Sequence, residues 1–121
     1  MSSFPMSHDQ ARDFLHKLIR ESTKVEGVLL SSRYGFKALV TGKVFGTPDG
    51  SIMVLGGTSS TSPQVTFAPA AAISIRYGDD RVMRGIDTPV AERFRREFVC
   101  GVTFFFEDGS SAAIFEWKEK D

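Results

Sequence analysis

Cysteine is almost absent from this 121-residue chain, which has only Cys100. A single thiol excludes an internal disulfide and a metal cage built from cysteines. Val99 and Gly101 flank Cys100, a setting typical of a small buried side chain rather than a nucleophile. Stability must therefore come from a hydrophobic core, which a chain of this length can bury without covalent links.

An excess of charge of either sign is also missing. The chain has 15 basic and 15 acidic residues, so its formal net charge is zero. A protein that binds the phosphate backbone of nucleic acids needs a basic excess, so nucleic-acid binding is disfavoured. Zero net charge also removes the repulsion between copies and favours self-association, with a homodimer as the expected state.

Long apolar segments are missing as well. The longest uncharged stretches contain Gly, Ser and Pro, and residues 1–8 lack the basic and apolar regions of a secretion signal. We therefore expect a cytoplasmic protein without a membrane partner. No linker or internal repeat divides the sequence, so residues 1–121 are predicted to form a single domain.

Histidine is scarce, with only His8 and His16. On a helix these positions are two turns and about 80° apart, which predicts different sides of the helix and excludes the shared metal site of an i,i+4 pair. Without a histidine base, nucleophilic catalysis has little support. The sequence predicts no catalytic residue, no metal site and no cofactor.

The clearest signals that are present begin at Ser7. Ser7 and Gln10 fit a capping box, in which each side chain bonds the backbone N–H of the other residue. The apolar residues that follow recur at helical spacing: Ala11, Phe14, Leu15, Leu18 and Ile19. This pattern predicts an amphipathic helix over residues 7–23.

Short strands follow, separated by turns rich in Gly and Pro. They are predicted over residues 25–31, 36–45, 51–55, 64–67 and 73–77, with a single helical turn over 68–72. Gly42, inside the second strand, indicates a bulge or sharp bend. Thr88 and Pro89 fit the start of a short second helix.

The chain ends in two apolar runs around Asp108 and Gly109, which predict a hairpin with a two-residue type I′ turn. Such a turn pairs Val102 with Phe115 and Phe104 with Ala113, and we expect that face to pack on the core. The opposite face is left for the helices or for a second copy of the chain. Its members form the predicted dimer interface: Phe105, Ala112 and Ile114.

These elements predict an α+β, β-rich fold. The N-terminal helix is expected to pack on a strongly bent antiparallel sheet or a small β-barrel, with a short second helix and a C-terminal β-hairpin. Both apolar faces of the hairpin must be covered, one by the rest of the domain and the other by a helix, a second sheet or another copy of the chain.

Six of the nine arginines fall within 21 residues: Arg76, Arg81, Arg84, Arg93, Arg95 and Arg96. Acidic residues interleave with them, so a salt-bridged surface is one interpretation. The other is a binding site for a phosphate, a carboxylate or an RNA strand, since arginine binds such groups bidentately. Asp79 and Asp80 are a further candidate, but two carboxylates fall short of a cation's coordination shell.

The function predicted from these features is a small non-enzymatic module that self-associates and binds a protein partner or a small ligand. Two alternatives stay open. One is a small nucleic-acid-binding barrel that uses the arginine-rich segment 76–96. The other is an enzyme with a carboxylate-based site that the sequence does not reveal.

Overall fold

The computed structural model describes residues 4–31, 37–59, 61–78 and 98–117. These residues form one α-helix, one short 3₁₀-helix (Pro69–Ala71) and eight strands. The bounds are β1 Phe4–Pro5, α1 His8–Arg20, β2 Lys24–Leu30, β3 Lys37–Gly46, β4 Ile52–Leu55, β5 Gln64–Phe67, β6 Ser74–Tyr77, β7 Phe98–Phe105 and β8 Ser111–Trp117. The predicted second helix, from Thr88, lies outside the described residues.

The structure confirms the capping box at the start of α1. The Ser7 hydroxyl accepts from the Gln10 backbone N–H at 3.1 Å, and the Gln10 side chain accepts from the Ser7 N–H at 2.9 Å. Three residues of the apolar stripe, Ala11, Leu15 and Leu18, are buried against the sheet. In the described part of the chain, no helix has the length and apolar character that crossing a membrane requires.

All eight strands belong to one antiparallel sheet in the order β1-β6-β7-β8-β2-β3-β4-β5. Strands β1 and β5 are its two edges, so the sheet is open and the barrel alternative does not form. The predicted α+β, β-rich fold, with an N-terminal helix on an antiparallel sheet and a C-terminal hairpin, is confirmed.

The sheet is nevertheless strongly curled. Five strand spacings separate β5 from β7, which would place them roughly 24 Å apart in a flat sheet. The ring centroids of Phe67 on β5 and Phe104 on β7 are only 5.0 Å apart. The two halves of the sheet therefore fold towards each other, and both rings join the core that α1 covers.

Gly42 lies where the backbones of β3 and β4 approach most closely. A Cβ atom at this position would stand 1.9 Å from the carbonyl oxygen of Leu55 and 2.9 Å from the Cα of Gly56. The paired register of the two strands begins at the next residue, Lys43, opposite Leu55. Glycine is therefore required here by close backbone approach, as its place inside a predicted strand indicates.

The predicted turn of the C-terminal hairpin is wrong by one residue. Phe106 N–H donates to the Ser110 carbonyl at 3.0 Å, and three residues rather than two form the loop. Gly109 has a positive φ of 87°, whereas Asp108 does not, so the turn is not type I′. This is the common three-residue loop that ends in a left-handed glycine.

The change of register exchanges the faces of β8. Val102 lies opposite Ile114 and Phe104 opposite Ala112, instead of Phe115 and Ala113. Ala112 and Ile114 are therefore fully buried in the core beside Phe104. Phe105 lies on the other face of the sheet, because neighbouring residues of a strand point to opposite sides. The predicted surface shared by Phe105, Ala112 and Ile114 does not form.

Candidate functional site

A groove of about 280 Å³ runs between α1 and the sheet and is called the helix groove below. α1 forms one side, and the β3–β4 turn, β4, the 3₁₀-helix and β6 form the other. The residues that line it are His8, Asp9, Arg12, Leu15, His16, Gly50, Ile52, Pro69, Ala70 and Ile75. Its walls thus combine aliphatic side chains with both histidines of the sequence.

His8, Arg12 and His16 follow one another along α1 at intervals of four residues. Each step turns only about 40° around the helix axis, so the three side chains form one oblique row beside the buried Leu15. The prediction that the two histidines lie on different sides of the helix is therefore wrong, since both line the same groove. They are about 12 Å apart along the axis, which still excludes a metal ion held by both.

The His8 ring is held by the backbone of the segment before β6. Its Nε2 lies 3.0 Å from the Ala72 carbonyl oxygen, which can only accept. Nε2 therefore carries the proton in this bond, and in the neutral imidazole Nδ1 has the lone pair. A histidine that donates one ring nitrogen to a carbonyl offers the other to a metal in a fixed direction.

Arg12 provides the positive charge of the groove. Its Nη2 lies 3.1 Å from the Asp9 carboxylate one turn earlier on the helix. Both side chains are mostly exposed, so this ion pair contributes little stability and a stronger anionic partner can replace Asp9. The guanidinium group is therefore available to a ligand carboxylate at the mouth of the groove.

Aliphatic side chains form the floor. Leu15, Ile52 and Ile75 are buried and belong to the main core. They come from α1, β4 and β6, so the floor exists only when the helix is packed on the curled sheet. Such an apolar floor with a few polar groups at its rim is the usual composition of a ligand site.

The arginines predicted as a binding cluster are only partly described. Arg76 lies on β6, opposite Thr103, and is half-buried. It follows Ile75, so it points to the face of the sheet away from the helix groove. The five others lie outside the described residues: Arg81, Arg84, Arg93, Arg95 and Arg96. Their convergence stays a prediction, and so does any role of Asp79 and Asp80, which also lie outside.

Sequence reasoning missed the groove as a site because it tested the two histidines only as a shared metal site. The signal was the four-residue spacing of His8, Arg12 and His16, which places three polar groups beside one apolar stripe. The far wall could not be anticipated in this way. Gly50, Pro69 and Ala70 have no polar side chain, and only the fold brings them to the helix.

Comparison with known proteins identifies similar folds but no family. No protein-family profile and no curated protein matches the sequence. The heme-degrading enzyme ChuS of Escherichia coli O157:H7 has a similar structure, with a TM-score of 0.54 and 11% sequence identity over 98% of this chain. ChuX is also similar, with a TM-score of 0.53 and 15% identity over 98% of this chain.

The chain spans only part of each neighbour, 31% of ChuS and 65% of ChuX. At these identities the likeness shows a shared fold. It also overturns the function predicted from the sequence, a non-enzymatic self-associating module, because a heme-degrading enzyme has a similar fold.

Proposed function

We propose that this chain binds heme in the helix groove. The observation that carries the proposal is the meeting of both histidines and Arg12 on the rim of one apolar groove. The fold that the chain shares with a heme-degrading enzyme supports the same ligand.

The chemistry of the groove fits each part of a heme. The porphyrin is flat and apolar and would pack on Leu15, Ile52 and Ile75. Heme iron already has four nitrogen ligands and needs only an axial donor, which a protein histidine commonly supplies. The two propionates carry negative charge and would pair with Arg12. The groove's volume of about 280 Å³ accommodates part of the ring, so one heme edge would stay outside.

His8 is the residue that would hold the iron of a bound heme. Its bond to the Ala72 carbonyl holds the ring in place and leaves Nδ1 as the donor. His16, two turns further along α1, is the other imidazole of the groove and serves as the internal comparison. When bound, heme supplies an iron centre able to bind dioxygen and exchange electrons.

The test is a titration of hemin into the purified protein, followed by Soret absorption. Wild type is expected to bind one hemin per chain with the spectrum of an imidazole-ligated iron. His8→Ala should lose that spectrum and bind at least about tenfold more weakly, and added imidazole should restore the spectrum. Arg12→Gln should weaken binding without moving the Soret band, because it affects the propionates alone.

His16→Ala and Lys17→Ala are the matched controls. Both side chains are exposed on α1, but only His16 lines the groove. If His16→Ala rather than His8→Ala changes the spectrum, His8 is not the iron ligand, but the helix groove is still the heme site. If neither histidine variant differs from Lys17→Ala, the groove is not the heme site. If wild type binds no hemin, the proposed function is wrong.

Whether the chain also degrades heme is a separate question with its own measurement. ChuS is described as degrading heme, but this chain spans only 31% of it. Addition of ascorbate in air to the loaded protein tests the point. Loss of the Soret band faster than for free hemin would make the chain an enzyme, whereas an unchanged band would make it a binding protein only.

A further inference from the structure

A second cavity lies away from the helix groove, beside the β7–β8 turn, and is called the turn cavity below. Its volume is about 610 Å³, within the range typical of small-molecule sites. It lies between the end of β2, strand β5, the 3₁₀-helix and residues 106–111. Nothing in the proposed heme function uses it.

Aromatic rings form its apolar wall. The centroids of Phe67 and Phe106 are 6.4 Å apart in an edge-to-face arrangement, and Leu29 lines the same wall. The Phe67 ring also packs against Phe104, with 5.0 Å between the two ring centroids. Phe106 is half-buried, so part of its surface faces the cavity. The hydrocarbon or aromatic part of a ligand can pack on such a wall.

The two charged side chains described at the rim are both acidic. Glu107 and Asp108 line the cavity, and none of the described lining residues is basic. The Asp108 carboxylate is held in position, since Oδ1 accepts from the Ser110 N–H at 2.9 Å and from the Ser110 hydroxyl at 2.5 Å. Aromatic faces also attract cations. The cavity therefore suits a positively charged ligand and disfavours the carboxylates of a heme.

We propose that the turn cavity binds an organic ammonium ion. Its carbon skeleton packs on Phe67, Phe106 and Leu29, and its nitrogen faces the carboxylates of Glu107 and Asp108. The helix groove and the turn cavity thus have opposite preferences, an anionic ligand beside α1 and a cationic one beside the hairpin turn.

The experiment uses two probes with the same ring and opposite charge, phenethylammonium and phenylacetate. Binding to the ¹⁵N-labelled full chain is followed by amide chemical shifts. Phenethylammonium should give saturable shifts at Leu29, Phe67 and the 106–111 turn, and phenylacetate should bind at least about tenfold more weakly. Equal binding of the two probes, or shifts centred elsewhere, would overturn the proposal.

Two double variants separate the site's charge from general charge effects. Glu107→Gln with Asp108→Asn should weaken phenethylammonium binding about tenfold, because both rim charges are lost while the Ser110 bonds can persist. Glu21→Gln with Asp49→Asn removes the same number of charges from exposed positions outside the turn cavity and should leave the affinity for phenethylammonium unchanged. The proposal would also be wrong if the two double variants bound phenethylammonium with equal affinity. The dispersed amide spectrum of each variant, outside the 106–111 turn, serves as the folding check, and it does not depend on whether the helix groove binds hemin.

Discussion

At Gly42, the addition of a single methyl group would force the neighbouring backbone to move. Its Cβ would overlap the Leu55 carbonyl oxygen at 1.9 Å, and a backbone atom cannot yield as a side chain can. Gly42→Ala should therefore lower the free energy of unfolding by at least about 2 kcal/mol, as in other cases of overpacking. Urea-induced unfolding measures the difference.

Gly46 on the same strand is the matched control. A Cβ there would meet only the Ile19 side chain, at 3.9 Å, which is an ordinary contact. Gly46→Ala should change the unfolding free energy by no more than about 0.5 kcal/mol. Equal effects at the two positions would show that general strand propensity, rather than close approach to Leu55, sets the requirement at Gly42.

Asp49 is a residue whose protonation bears on stability. A hydrogen bond from the Thr47 hydroxyl, and then one from the Ser51 N–H, lower the pKa of the Asp49 carboxyl below its usual value. A carboxyl with a lowered pKa in the folded state stabilises it above the unfolded-state pKa, and that contribution is lost as the pH falls through the folded-state pKa.

Asp49→Asn keeps a side-chain acceptor in the turn but removes this titration. The stability advantage of wild type over the variant should therefore shrink as the pH is lowered from about 5 to about 2. Urea unfolding at a series of pH values measures this difference in unfolding free energy. A difference that stays constant across this range would mean that the charge on Asp49 contributes nothing to folding.

Among the elements, two hairpin turns share one structure. Asp-Gly-Ser ends the loop in both, at residues 49–51 and 108–110, and in both the Asp carboxylate accepts from the Ser N–H. Gly50 and Gly109 have nearly the same positive φ, 85° and 87°. Pro48 and Gly50 suit the first of these turns, and the shared Asp-Gly-Ser sequence indicates the same loop for the second.

Deletion of Glu107 tests this account of the hairpin. It leaves Asp108 and Gly109 as a two-residue loop between Phe106 and Ser110, for which the type I′ turn suits Asp-Gly. We expect the variant to fold with Phe104 still opposite Ala112, and with an unfolding free energy within about 1 kcal/mol of wild type. Cross-strand contacts measured by NMR report the register. A pairing of Phe104 with Ala113 instead would show that the loop does not fix it.

The helix and most strands could be predicted because their signals are local. The Ser7 capping box and the apolar stripe of α1 need only neighbouring residues, and β5 has the predicted bounds of residues 64–67. The register of the hairpin could not be predicted, since Asp-Gly occurs in both two-residue and three-residue loops. Because the loop is one residue longer than predicted, Ala112 and Ile114 lie in the core instead of at the predicted interface.

At the scale of the whole molecule, the curl of the sheet decides where the sites lie. The helix groove needs β4 and β6 on the same side of α1, although four strands separate them in the sheet. The row of His8, Arg12 and His16 is visible in the sequence, whereas the wall opposite it depends on this curvature. Contacts between strands distant in the sheet leave no periodic pattern, so sequence reasoning left open whether the sheet closes.

Phe67 is the residue through which the curl can be tested. Its ring on edge strand β5 reaches Phe104 on β7, and it is buried at 8% exposure. Phe67→Ala should cost about 3–5 kcal/mol of unfolding free energy, because it leaves a cavity between the two halves of the sheet. It should also speed hydrogen exchange at the β5 amides more than in β7 or β8, since among the described strands β5 pairs only with β4.

Phe45 provides the comparison for this last change. It has the same side chain on β3 but is 41% exposed, on the face of the sheet away from the core. Phe45→Ala should therefore cost less than about 1 kcal/mol and leave exchange at β5 unchanged. If the two variants lose similar stability, or if Phe67→Ala leaves β5 protected, the contact with Phe104 is not what holds the two halves together. The curl would then follow from backbone twist and from the packing of α1 alone.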